Sequence, residues 1–172
     1  MKKKTAILLL LSLLIAIVNA QAESSPAGDA DIGHRVLLTA QADSYSVYQI
    51  VSFEEATHIL KSVTIITRFT AESGVTEEIV GNYNIEDAYP NTREMDFVSH
   101  EIYTVDDCVN FAMRFDDLDV AENKKMMVDN GYLLLTDASE TLTSDKYVSS
   151  LNNYGAVKEV PRVDYERLGF HF

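Results

Sequence analysis

Tryptophan is absent, cysteine occurs once, and only three prolines interrupt the chain. A lone thiol, Cys108, excludes an internal disulfide, so the fold must rest on burial and backbone hydrogen bonding. Basic residues are scarce. Fourteen Lys and Arg face 27 Asp and Glu, for a formal charge of −13. That balance excludes the basic surface that nucleic acid requires, and it disfavours anionic lipid. No nucleophile elbow, phosphate-binding loop or dinucleotide fingerprint is present. His-x-x-x-His and Cys-x-x-Cys spacings are also missing, so zinc has no local signature. The longest apolar run, Ala6 to Val18, falls short of the ~20 residues a membrane-spanning helix needs.

That run has its own meaning. Lys2, Lys3 and Lys4 precede it, and Ala20-Gln21-Ala22 follows as a small-x-small cleavage site. Residues 1–22 therefore read as a bacterial Sec signal peptide, removed on export. No Cys follows the cleavage site, which argues against a lipoprotein. Residues 23–33 are small, polar and turn-rich and are expected to form a flexible N-terminal segment. Residues 34–172 are enough for a single domain with a proper core. The expected location is periplasmic or extracellular.

Periodicity supplies the elements. Thr104 to Asp117 reads as an amphipathic helix. Thr104 stands as its cap, Asp106 and Asp107 sit in its first turn, and Val105, Cys108, Val109, Phe111, Ala112, Met113 and Phe115 share one arc. Val109, Phe111, Met113 and Phe115 also alternate, so a strand competes with the helix. Fifty-two residues earlier a similar pattern occurs, with Ser52 as cap, Glu54 and Glu55 after it, and Phe53, Ala56, Ile59, Leu60 and Val63 on one arc. The two stretches read as a strand–helix unit used twice, although any strand followed by a capped helix has this appearance. Strands are expected at 35–41, 45–51, 63–70, 76–85, 95–103 and 132–136, with further extended runs at 156–160 and 163–172. A short helix over 119–131 competes with an Asn130-Gly131 hairpin. Ser144 is expected to cap a third helix carrying Tyr147, Val148, Leu151 and Tyr154. The expected fold class is α+β: an antiparallel or mixed sheet with two or three amphipathic helices packed on it.

Candidate chemistry is sparse. Cys108 lies among apolar neighbours and reads as a core thiol, with no local cation to make it a nucleophile. Glu55 and His58 have the i, i+3 spacing that carboxylate metal sites use, but a solvated helix face explains them more simply. His100 lies in a strand and His171 near the C-terminus, neither with a local catalytic partner. Asp116, Asp117 and Asp119 lack the glycine of a calcium loop, and Asp129-Asn130-Gly131 reads as turn chemistry. No catalytic, cofactor or metal residue is assigned, and no enzyme activity is expected. Tyrosine is the commonest aromatic, and Tyr suits binding surfaces as well as sheet packing.

The expected function is that of an exported, acidic, non-enzymatic binding module whose partner is a basic protein. Two alternatives stand beside it. The Ser52-Phe53 junction is similar to the repeated β-α units of SPOR domains over 45–63 and 97–115, without the glycine that usually precedes that family's Ser/Phe pair. That resemblance implies cell-wall glycan binding. Leu168, Phe170 and Phe172 alternate as in the last strand of a small outer-membrane barrel. Glu166 and Asp164 break that alternation, so membrane insertion is not expected.

Overall fold

The computed structural model describes residues 31–83, 89–133 and 140–170. The stretch expected to be a signal peptide, and most of the segment after it that is expected to be flexible, lie outside them. Six strands make one antiparallel sheet: β1 (Ile32–Ala42), β2 (Tyr45–Glu54), β3 (Leu60–Phe69), β4 (Val98–Val105), β5 (Cys108–Phe115) and β6 (Lys158–Glu159). Their order is β4-β5-β3-β2-β1-β6. Among the described residues three α-helices accompany the sheet: α1 (Glu77–Gly81), α2 (Ala121–Asp129) and α3 (Ser144–Asn152). The expected α+β class and antiparallel sheet are what the chain forms. The sheet is open, with β4 and β6 at its two ends, so the barrel reading is overturned.

The largest correction concerns the two expected helices. Residues 98–115 form a hairpin whose register runs unbroken from Val98↔Phe115 to Val105↔Cys108. Asp106 and Asp107, read as a helix first turn, are its two-residue turn, with φ of 49° and 58°. Two consecutive positive φ values are what a type I′ turn requires, and Asp tolerates that region better than most residues. The alternation of Val109, Phe111, Met113 and Phe115 proved to be the governing period, and all four are buried on one sheet face. Residues 53–63 follow the same logic. β2 continues to Glu54, a tight turn carries His58 at φ 57°, and β3 begins at Leu60. The similarity across 52 residues is thus one of two hairpins with acids at their turns. The duplicated strand–helix unit does not exist, and the Ser52-Phe53 junction of the SPOR resemblance lies inside a strand.

Other boundaries also moved. The expected strand at 76–85 is instead α1, capped by Thr76, whose Oγ1 accepts from Ile79 N at 3.2 Å, with Ile85 outside the described residues. Thr76 thus signalled a helix start that the hairpin pattern concealed. The short helix at 119–131 forms as α2. The third forms as α3, its cap being Thr143, one residue before the expected Ser144. Tyr132 and Leu133 are not in a strand, and 134–136 lie outside the described residues. β1 begins at Ile32, inside the segment expected to be flexible. In place of a strand at 163–170, the chain makes two 3-10 turns, Arg162–Asp164 and Glu166–Leu168.

The sheet has two differently covered faces. On one, Val51, Val63, Phe115 and Val98 lie in a row, with Gln49, Ile65, Met113 and His100 in the next. The helices and their loops cover this face. Tyr147 of α3 donates from its hydroxyl to Gln49 Oε1 at 2.7 Å. Tyr132, just past α2, packs on Phe115, and Tyr89 stacks on Phe111 at a centroid distance of 6.4 Å. Each large apolar side chain buried here contributes ~1.5–3 kcal/mol.

The C-terminal segment covers the other face as a strap. Val36 N donates to Tyr165 Oη at 3.2 Å, and Phe170 meets Tyr48 edge-on at 5.2 Å. Arg68 donates to Leu168 O at 2.9 Å and to Val105 O at 3.3 Å, tying the strap to the β4–β5 turn. Gly169 is required where the two meet. Its φ is +72°, and a Cβ would stand 2.8 Å from Val105 Cγ2.

Replacing Asp106 by Asn together with Asp107 by Gly is expected to raise stability by about 0.5–1 kcal/mol, because Asn-Gly relieves the left-handed strain of the turn. Urea denaturation measures it; a helix over these residues would lose about 1 kcal/mol on the same change. Gly169→Ala is expected to cost about 1–3 kcal/mol in thermal or chemical unfolding, from backbone strain and overpacking on Val105.

Candidate functional site

The sites suggested by local sequence are dispersed. Cys108 is half-buried as the first residue of β5. It is not the fully enclosed core thiol expected of a helix arc. His58 and Glu55 stand in the β2–β3 turn, where His58 stacks on Phe53 at 5.5 Å, so the expected helix face is absent. Asp116 accepts from Arg114 Nε at 2.5 Å, and Asp119 pairs with Lys61 at 2.7 Å. Asp117, two residues past the end of β5, has φ 49°. Asp129 pairs with Lys125 one helical turn back, and Asn130 accepts from Asn91 at 2.7 Å. Among the described residues no three His, Cys, Asp or Glu side chains gather to hold a metal ion. His171 lies outside the described residues.

The tertiary fold assembles a cleft instead. Its volume is about 670 Å³, within the 300–1,000 Å³ typical of small-ligand sites. Val98 and His100 of β4 and Met113 of β5 line it from the sheet. Gly81, Asn82 and Tyr83 close one side from the end of α1, and Thr92, Arg93, Met95 and Asp96 the other.

Local chemistry holds both walls. Thr76 caps α1, and Glu77 of its first turn accepts from Thr104 Oγ1 on β4, fixing the helix over the strand. The opposite wall begins at Asn91, whose φ of 69° is left-handed, and turns through Thr92–Glu94. Thr92 Oγ1 donates to Tyr89 O at 2.9 Å, and Val98 N donates to Met95 O at 3.0 Å, delivering the chain directly into β4. Tyr89, wholly buried under this wall, has its hydroxyl pKa driven far upward by desolvation, so it stays neutral. On the other face of β4, burial, reinforced by the Glu101 charge, pushes the Tyr103 phenol up to about 12.

The cleft mixes a thioether floor (Met95, Met113) with an acid, a cation and an imidazole. That combination suits binding: Met adapts to irregular apolar shapes, while Asp96, Arg93 and His100 give orientation. The sequence offers His100 only as a strand residue without a local partner, and gives no sign of Asn82, Thr92, Arg93, Met95 or Asp96. They lie in or beside connections, and the one local signal was the Pro90-Asn91 turn.

A second polar cluster occupies the strap face. His34 Nδ1 lies 3.0 Å from Ser52 Oγ across the β1–β2 pairing, and Ser52 stands opposite Ser62 of β3. The Ser–His distance is one that nucleophile–base pairs use. Ser52 is only 7% exposed, so its oxygen lies beneath the surface and the contact ties two strands. Burial lowers the His34 pKa, and the nearby positive charges of Arg114 and Arg162 lower it further against Glu55.

No family model matches the chain, and no curated protein matches it. Among solved structures, the NMR structure of a protein from Streptococcus pneumoniae TIGR4 is 13% identical to it. The alignment covers 86% of this chain and 96% of that one, with a TM-score of 0.46.

His34 provides a pH test. Its folded pKa lies below the ordinary 6.5. The stability from its neutral form is therefore complete above the unfolded value and is lost as pH falls through it towards the folded midpoint. NMR titration is expected to give a midpoint below 6.5. His34→Gln is expected to flatten the stability profile between about pH 5 and 7.

Proposed function

We propose that this chain is an exported, non-catalytic binding module that holds a basic protein partner at the cleft between α1 and β4. The observation that carries the reading is the cleft itself: about 670 Å³ of space beside an exposed sheet edge, with methionines at its base and Asp96 and His100 among its lining residues. Adaptable thioethers with a few orienting polar groups recognise a ligand, whereas acyl or phosphoryl transfer needs a nucleophile, a base and an oxyanion donor around one point. The −13 charge favours a basic partner, and long-range attraction would speed the encounter. Export rests on the Lys2–Lys4, Ala6–Val18 and Ala20–Ala22 pattern.

The test is a pull-down with the purified protein from envelope extract at low and high salt, run beside an Asp96→Ala/His100→Ala variant. A basic protein should be retained at low salt and released at high salt, and the variant should retain it about tenfold less. Equal retention by both proteins would move binding away from the cleft. Retention on purified peptidoglycan with no protein partner would favour the glycan alternative.

A further inference from the structure

β4 ends the sheet, and among the described residues no strand pairs with its outer edge. Phe97 O accepts from Asp116 N at 2.9 Å, and the pairing continues by alternation through Ser99, Glu101, Tyr103 and Val105. The N–H and C=O groups of His100, Ile102 and Thr104 therefore point away from β5. Val98 N, at the start of the edge, is taken by Met95 O. Among the described residues, no backbone hydrogen bond outside the ladder begins or ends at His100, Ile102 or Thr104. Exposed edges are commonly blunted by charged side chains, Pro, a bulge, or a covering helix or loop; β4 has Glu101 and, fixed over it through Thr104, α1. β4 contains no Lys and no Pro, and its register is unbroken. The opposite edge is treated differently. β1 has a register shift between Leu38 and Ala40, β6 pairs with its centre, and Val160 N donates to Val36 O at 2.8 Å.

We infer that the outer edge of β4 accepts an extended basic segment of the partner as a seventh strand. This rests on the binding reading above and specifies its mode. The charge around the edge selects the occupant. Glu101 projects from β4 on the strap face, Glu77 and Glu78 stand on α1 above it, and Asp96 lies just before its start. An added strand would place alternate side chains towards the cleft and Glu77, and the others towards Glu101. Lys or Arg beside Glu77 or Glu101 meets an acid, and on the cleft side Asp96 stands with Arg93 and His100. A second copy of this chain would instead bring Glu77, Glu78 and Glu101 against their own like charges, which disfavours self-pairing.

The test uses the purified protein and a fluorescent peptide of about nine alternating Lys and Val residues, long enough to cover β4. A Glu/Val peptide and a Lys/Val peptide N-methylated at alternate amides serve as comparisons. The Lys/Val peptide is expected to bind at least about tenfold more tightly than either. It should also slow hydrogen exchange at the His100, Ile102 and Thr104 amides about tenfold or more. Thr104→Pro removes one outward N–H together with the Thr104–Glu77 hydrogen bond, whereas Thr104→Val removes the hydrogen bond alone, so the proline variant should weaken binding well beyond the valine variant while the fold, checked by amide spectra, persists. Binding without protection of these amides, or equal binding of the N-methylated peptide, would overturn edge addition and leave the cleft reading standing. Absence of peptide binding would overturn it too, and the pull-down would then judge the cleft separately. A dimer with the same three amides protected in the absence of peptide would replace the basic partner with a second copy.

Discussion

Everything in this molecule is arranged around the need to pair the backbone of β3 on both sides. β3 lies between β2 and β5, strands that precede and follow it in the chain. Its β2 partner is supplied locally by a tight turn. Its β5 partner arrives about 40 residues later, after α1 and the turn at Thr92–Glu94, and carries β4 with it as a hairpin. An unpaired buried N–H or C=O costs as much as a lost hydrogen bond, so the centre of the sheet admits no other solution. Once β3 is satisfied, β5 has one free side, which β4 fills, and among the described residues no strand pairs with the outer side of β4.

The two faces follow from the same frame. Residues that alternate along β3 and β5 send Val63, Ile65, Phe69, Phe111, Met113 and Phe115 to the helical side, where Tyr89, Tyr132 and Tyr147 close over them. The other side receives a mixed row of hydroxyls, His34, Arg68 and Arg114, and a strap of 3-10 turns suffices to cover its apolar part. Arg68 illustrates why an irregular strap can hold. One guanidinium spans the strap carbonyl of Leu168 and the turn carbonyl of Val105, pairing groups that no strand neighbour could reach. The cleft lies between α1 and the turn at Thr92–Glu94.

Much of this was legible in the chain. β1, β2, β3, the α2 and α3 helices, the antiparallel preference and the α+β class all follow from local periodicity and caps. Residues 105–115 failed because two periods fit them equally well. The arc of Val105, Cys108, Phe111, Ala112 and Phe115 is helical, the alternation of Val109 to Phe115 is extended, and Asp106-Asp107 serves a helix first turn as readily as a type I′ turn. Only β3, some 40 residues away, makes the extended form preferable, since it offers a ladder of seven residue pairs. The same ambiguity at Phe53–Val63 was decided by register with β2. The cleft was not legible in the sequence: His100 has no local partner, and the other lining residues have no periodicity to betray them.

The sequence by itself determined the acidity, the absence of a disulfide framework, the lack of catalytic and metal motifs, and the strands whose alternation no other period matched. These are properties of composition and of neighbours within a few residues. Tertiary structure alone decided which acids became turns, which strand lay at the centre, which edge was left open and which side chains met in the cleft. Those outcomes depend on pairing between strands far apart in the chain. A ladder bond is a contract between two segments, and neither carries enough local preference to specify it alone.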